Sequence, residues 1–292
     1  MTLRPKYVGA RVKRRADPRL LAGQGSFTAD RAVPNALHVA FSRSEHAHAR
    51  IAGIEATAAA ALPGVFAVYT AADLDGLVKP VQATSRMPSY YPTALYPLAR
   101  DKVRYVGDAV AFVVADTPAQ ARDAAEAVEV NIDALPAVTS PGDAAKPGAP
   151  QLYDHIPNNV ALDYHFGDTA AIDAAFKSAA HVTKLDIANT RVAVVPMEPR
   201  TALAAYDKAR DHYTIQVPTQ GVAGNRANLA KNMKLPNEKV RILTANVGGS
   251  FGMKNINYPE YMCILYAAKV LGKPVKWTDD RSGSFLSDSQ GR

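Results

Sequence analysis

Apolar positions along the chain fall into short runs whose period changes from segment to segment. Leu37-His38-Val39-Ala40-Phe41 reads as a strand, and residues 51–54 form a second apolar patch. The Ala-rich stretch 57–62 stops at Pro63-Gly64, which predicts a short helix and a turn. Residues 65–69 alternate in the manner of a strand.

The clearest unit runs over residues 103–132. Val103-Arg104-Tyr105-Val106 leads into a turn at Gly107-Asp108, and residues 109–115 are uniformly apolar, the mark of a buried strand. Thr117 then suits an N-cap, Pro118 the first helical position, and Gln120 the closing position of a capping box. Ala121, Ala124, Ala125 and Val128 give the following helix a small-residue face that can lie close on a sheet. Residues 128–132 return as a strand. This β-β-α-β order makes the first domain mixed α/β.

Residues 137–151 hold three prolines and two glycines without periodicity and read as a linker. Beyond it, Val160, Leu162, Tyr164 and Phe166 alternate as a strand, and Ile172, Ala175, Phe176 and Ala179 form a helical stripe. Tyr213, Ile215 and Val217 predict another strand, residues 222–233 a helix, and residues 240–243 a short strand. Tyr261, Ile264, Leu265 and Ala268 give a helix stopped by Gly272 with Pro274 just beyond. Residues 275–278 are the last expected strand. No closing helix is expected after it, so the second domain reads as unfinished, with exposed sheet edges. The division is a basic arm over 1–24, a domain over 25–136, the linker over 137–151 and an incomplete domain over 152–292.

Composition changes this picture little. Hydrophobic residues make up 48% and charged residues 21%, which excludes a disordered chain. The net charge of +7 is concentrated in Arg4, Lys6, Arg11, Lys13, Arg14, Arg15 and Arg19. Tyr7 is the one aromatic residue among them, too few for a run of stacking platforms, so a solvated or subunit-contacting arm is the reading, not a nucleic-acid site. Cys263 is the single cysteine, which excludes an intrachain disulfide and a cysteine-built Fe–S or zinc site. No membrane span and no secretory leader are expected, which fits a cytoplasmic protein.

Candidate chemistry centres on Val247-Gly248-Gly249-Ser250-Phe251-Gly252-Met253-Lys254. Such a loop lets backbone N–H groups converge on acceptor oxygens, and its place between strand and helix suits anions. It matches neither a Walker A loop nor G-x-G-x-x-G, and a plain tight turn explains it nearly as well. Gln220 ends the segment Pro218-Thr219-Gln220-Gly221 after a strand and offers both a donor and an acceptor. In Pro196-Met197-Glu198-Pro199-Arg200, Glu198 and Arg200 either pair or Glu198 accepts backbone hydrogen bonds. His46 and His48 have no evident third ligand nearby. Asp279-Asp280 reads as a solvated pair of loop-end acids.

Taken in order, the segments 15–27, 38–51, 63–65, 103–108, 123–126, 196–200, 219–220, 247–252 and 271–277 resemble the large subunits of the xanthine dehydrogenase and aldehyde oxidase family. The resemblance is strongest to the carbon monoxide dehydrogenase-like and aldehyde oxidase-like branch and covers nearly the whole chain. It implies an α/β (α+β) fold, with an α/β-hammerhead domain followed by the first part of a molybdopterin-binding domain. It implies a molybdenum–molybdopterin cofactor, in the cytosine dinucleotide form, with Gln220 near the metal's oxo group. Gly248, Gly249, Phe251 and Gly252 would border metal and pterin, and Asn255 would line the substrate pocket. It implies a 2Fe–2S small subunit, an FAD-binding medium subunit and a further polypeptide carrying the rest of the molybdenum subunit. Together they would oxidise an aldehyde, CO or an N-heterocycle with oxygen from water. Asn255 stands where xanthine-oxidising members carry a substrate-binding Glu, which argues against purines, and Ser250 stands where a third Gly is common. The resemblance places the base glutamate beyond this chain, so no catalytic residue and no metal ligand is assigned here. The alternative is an inactive fragment, or a half-subunit that needs a second chain.

Overall fold

One seven-stranded sheet runs through the molecule, and its strands come from both sides of the 137–151 stretch. The computed structural model describes residues 7–83 and 85–289. Arg4 and Lys6 of the expected basic arm lie outside the described residues. The chain begins with the short helix α1 (Asp17–Leu21), followed by β1 (Leu37–Arg43), β2 (Ala49–Glu55), α2 (Thr57–Ala60) and β3 (Val65–Thr70). Three two-residue strands follow, β4 (Val81–Gln82), β5 (Ala94–Leu95) and β6 (Lys102–Val103), then β7 (Ala109–Ala115), α3 (Pro118–Glu126) and β8 (Glu129–Ala134). α4 (Pro141–Ala144) and α5 (Thr169–Ser178) precede β9 (Thr201–Asp207), β10 (His212–Gln216), α6 (Val222–Asn232) and β11 (Val240–Leu243). The last elements are α7 (Pro259–Leu271), β12 (Val275–Thr278) and α8 (Arg281–Ser287).

The sheet order is β11-β10-β9-β12-β1-β7-β3, with β6-β2-β8 as a separate antiparallel sheet. The seam between the two halves is the parallel pairing of β1 with β12, Leu37 opposite Val275 and Val39 opposite Trp277. β7 is buried at every residue because β1 and β3 flank it and both its faces are covered. Phe112 and Val114 face the main core with α7, while Ala111 and Val113 face α3. Thr117 caps α3 by accepting from Gln120 N at 3.2 Å. The capping box is changed in detail: the Thr117 hydroxyl donates to Gln120 Oε1 at 2.9 Å. α7 is buried along most of its length, and Gly272 ends it in the left-handed conformation.

Two expectations are corrected, and one strand is new. Residues 160–166 form no strand, and their apolar side chains stay exposed, Phe166 to 86%. A strand needs a partner ladder, and none lies beside this segment among the described residues. The region after β12 does carry a helix, α8, capped by Asp280 accepting from Gly283 N at 2.6 Å. β9, Thr-Ala-Leu-Ala-Ala-Tyr-Asp, went unread because Ala has little strand preference; pairing with β10 and β12 on its two sides makes it a strand.

Candidate functional site

β10 and β11 are parallel neighbours joined through α6, so the segments leaving their C-terminal ends emerge side by side. In open sheets with such crossovers, this end of the strands is where ligands are commonly held. One segment carries Thr219-Gln220; the other carries the glycine-rich loop. They are laced together: Gln220 N donates to Lys254 O at 3.2 Å, and Thr219 Oγ1 donates to the same oxygen at 3.2 Å. Ser250 Oγ lies 2.6 Å from Gln220 Oε1. At the start of the loop, Asn246 N donates to Ser26 O at 3.0 Å, and Asn246 Oδ1 accepts from Ser26 N at 2.9 Å and from Arg19 at 3.1 Å, tying down the end of the basic arm.

Beneath the loop sits the Pro196–Arg200 segment. Glu198 N donates to Gly248 O at 3.1 Å, and Gly248 N returns a bond to Glu198 Oε2 at 2.8 Å. A Cβ on Gly248 would lie 2.5 Å from Glu198 Cβ, so this glycine is required by the close approach of the two segments. The buried Lys254 ammonium donates to Glu198 Oε2 at 3.0 Å and to Glu198 O at 2.7 Å. Burial lowers the Lys254 pKa, and Glu198 opposes that shift. Glu198 is therefore the anchor of the loop and takes both backbone and ammonium donors, and it does not pair with Arg200. From the sequence alone Lys254 and Ser250 have no role, the first named only as the end of the loop and the second only as a departure from a common Gly.

Arg200 turns the other way. It is fully buried, ion-paired to Glu260 at 2.9 Å and bonded to Asp279 at 2.9 Å and Asp288 at 2.6 Å, and it stacks on Tyr258. Arg43 reaches Glu260 from β1 at 2.9 Å. Burial pushes the Glu260 carboxyl up, but Arg200 and Arg43 outweigh it and hold the group at about 2. Asp279 is thus a buried partner of Arg200, and not a solvated loop-end acid. His48 is buried with Nδ1 at 2.8 Å from Pro136 O, and no group of three His, Cys, Asp or Glu positioned for a metal occurs among the described residues.

The loop's outer face is open. Gln220, Phe251, Gly252 and Asn255 are exposed, while Gly248 and Gly249 are half-buried. Gly249, Phe251 and Gly252 hold φ of +99°, +50° and +98°. The N–H groups of Gly249, Ser250, Phe251 and Gly252 meet no acceptor among the described residues. A run of free amide donors in this conformation is a cradle for acceptor oxygens of a phosphate or oxo group. The predicted residues therefore gather on one surface, Asn255 lying beside Gly221 at the rim. A cavity of about 690 Å³ lies elsewhere, between β1, α3 and α8, and none of the predicted residues lines it. The candidate site is therefore placed at the loop, where they gather.

Fold and loop together define a cofactor-binding protein built at the C-terminal ends of parallel strands. Residues 22–136 match the aldehyde oxidase and xanthine dehydrogenase a/b hammerhead domain, and residues 152–292 match the molybdopterin cofactor-binding domain. The chain belongs to the xanthine dehydrogenase and aldehyde oxidase family of molybdopterin proteins. It is 38% identical over 294 residues to the 6-hydroxypseudooxynicotine dehydrogenase complex subunit gamma of Paenarthrobacter nicotinovorans, covering 99% of this chain and 36% of that protein. It is 36% identical over 297 residues to the carbon monoxide dehydrogenase large chain of Afipia carboxidovorans, covering 98% and 36%. Quinoline 2-oxidoreductase from Pseudomonas putida 86 superposes with a TM-score of 0.92 at 35% identity, covering 99% of this chain and 37% of that one. The chain thus spans little more than a third of the length of these relatives. No helix among the described residues is long and apolar enough to cross a membrane.

Proposed function

We propose that this chain forms one wall of the molybdenum–pterin site of a multisubunit hydroxylase acting on an aldehyde, CO or an N-heterocycle. The observation that carries the reading is the run of N–H groups at 249–252 without an acceptor among the described residues, in a loop bonded directly to Gln220. When bound, the cofactor supplies the two-electron redox chemistry by which water-derived oxygen is added to an electron-poor carbon. The chain's own part is to bind and orient. Gly249, Phe251 and Gly252 present amide donors, Gly248 seats the loop on Glu198, and Gln220 offers a carboxamide donor without a metal bond. Asn255 offers a neutral donor and acceptor to substrate at the rim. Glu198 is committed to Gly248 N and Lys254, which leaves the proton-removing base to another part of the assembly.

The cytosine dinucleotide form of the pterin, a 2Fe–2S small subunit, an FAD-binding medium subunit and a cytoplasmic setting are parts of the same proposal. So is a polypeptide carrying the rest of the molybdenum subunit. Supporting that partner is the exposed apolar surface over 160–195, where Phe166, Phe176, Leu185 and Ile187 are 60–86% exposed. Several large apolar side chains exposed along one segment are what an interface leaves uncovered.

The test is purification of the tagged chain from its source cells, with molybdenum analysis and mass spectrometry of companions. Molybdenum together with the three companions is expected; a metal-free chain without them overturns the proposal and leaves the inactive-fragment alternative. In the assembled enzyme, Gln220→Ala should lower kcat about tenfold or more, in the range of losing a donor to developing charge. Unchanged turnover would remove Gln220 from the site.

A further inference from the structure

We infer that Ser250 is a positioning residue that fixes the polarity of the Gln220 carboxamide, turning its NH₂ outward as the donor of the site. The inference rests on the proposed reading of Gln220. A glutamine side chain ends in two groups of nearly equal shape and opposite hydrogen-bonding sense, so its surroundings must choose which one faces a ligand. Here the choice follows from proton counting. Lys254 N donates to Ser250 Oγ at 3.0 Å, and a backbone amide can only donate. Ser250 is buried, and its remaining neighbour is the end of Gln220 at 2.6 Å, the separation of an O–H···O bond. An Nε2 end facing Ser250 would donate to the second lone pair of Oγ and leave the buried hydroxyl proton without an acceptor, whereas the carbonyl end takes that proton, so Ser250 donates to Gln220 Oε1. The backbone of Gln220 is held by Lys254 O at 3.2 Å, so the side chain is tethered at both ends. Its Nε2 has no partner among the described residues, and Gln220 is exposed, so the NH₂ is left available as a donor. All donors of the surface then have one sense. A flipped carboxamide would instead set a carbonyl oxygen against an acceptor.

Lys254 connects this tether to the buried Glu198 contact, since its N–H serves Ser250 and its ammonium serves Glu198. The loop and the glutamine are thereby oriented as a unit. Ser250→Ala removes the proton that makes the choice but keeps the small side chain that the site holds. Ser250→Thr keeps the hydroxyl.

The experiment has two arms. In the isotopically labelled full chain without cofactor, the ¹³Cδ signal of Gln220, assigned by its loss in Gln220→Ala, reports whether its carbonyl accepts a hydrogen bond. Ser250→Ala should move it upfield toward a solvent-exposed glutamine, and Ser250→Thr should return it. An unmoved signal in Ser250→Ala overturns the inference. In the assembled enzyme, Ser250→Ala should lower kcat about fivefold, the net worth of one neutral hydrogen bond, with recovery in Ser250→Thr. If Gln220→Ala slows turnover and Ser250→Ala does not, the positioning role is overturned and the reading of Gln220 stands. If Gln220→Ala itself has no effect, the proposed function fails, a result distinguishable because the ¹³Cδ arm is read without cofactor.

Discussion

The Lys254 ammonium shows how much of the site is decided by single buried groups. It is enclosed with the Glu198 carboxylate, and removing it would leave that carboxylate with only Gly248 N while Oε1 has no partner. Lys254→Met should therefore destabilise the chain by about 3–5 kcal/mol, the cost of breaking a buried pair on one side; urea unfolding checks it, and a loss below about 1 kcal/mol would mean the pair is solvated. Asp108 supplies the pH test. Burial pushes its carboxyl up to about 6 from an ordinary 3.8, although Arg104 N donates to it at 3.1 Å. The folded chain therefore holds this proton more tightly than the unfolded one. Its contribution is fully present below about pH 4 and lost as pH rises through about 6, on the order of 2–3 kcal/mol. Asp108→Asn should lack this decline, and parallel pH profiles for the two proteins would refute it. At this scale Gln220 and the glycine-rich loop could be named as candidates from residue type together with the family resemblance, and the structure brings them onto one surface. The hydroxyl bond of Ser250 was not, since thirty positions separate it from its partner.

Among the elements, β7 and α7 show the two ways a uniformly apolar run is buried: β7 between two strands with both faces covered, α7 as a helix with most of its circumference in the core. α7 also brings Glu260 against Arg200 and Arg43, so the helix is held to β9 and β1 by charge as well as packing. Glu260→Gln would leave the buried Arg200 and the half-buried Arg43 short of a counter-ion, and we expect about 3–5 kcal/mol of destabilisation, seen as a lower urea midpoint with unchanged m-value. A neutral result would show that Asp279 and Asp288 suffice for Arg200. The caps of α3 and the stop of α7 were readable because both are local in sequence. β9 and α8 were not: an Ala-rich strand is selected by its neighbours, and the signal for α8 was a single Asp280 cap.

At the scale of the whole molecule, the single sheet built from both halves is the feature the linker concealed. Residues 137–151 separate the halves in sequence, yet β1 pairs in parallel with β12 across more than two hundred residues. The apolar surface over 160–195 stands apart from this core. α5 carries the expected stripe, with Ile172 and Phe176 on it, but buries none of its residues. The double variant Phe166→Asp with Phe176→Asp should leave the chain's own stability within about 0.5 kcal/mol, while its capture of companion polypeptide falls sharply. A marked loss of thermal stability would place these side chains in this chain's own core instead. What the sequence by itself determined were local features such as the buried run of β7, the cap of α3 and the glycine stop of α7, because each depends on neighbours a few residues away. What only the tertiary structure decided was which segments meet: β1 with β12, Glu198 with Lys254 and not Arg200, and Ser250 with Gln220. Those pairings are set by sheet register and burial across long separations, which no short-range pattern encodes.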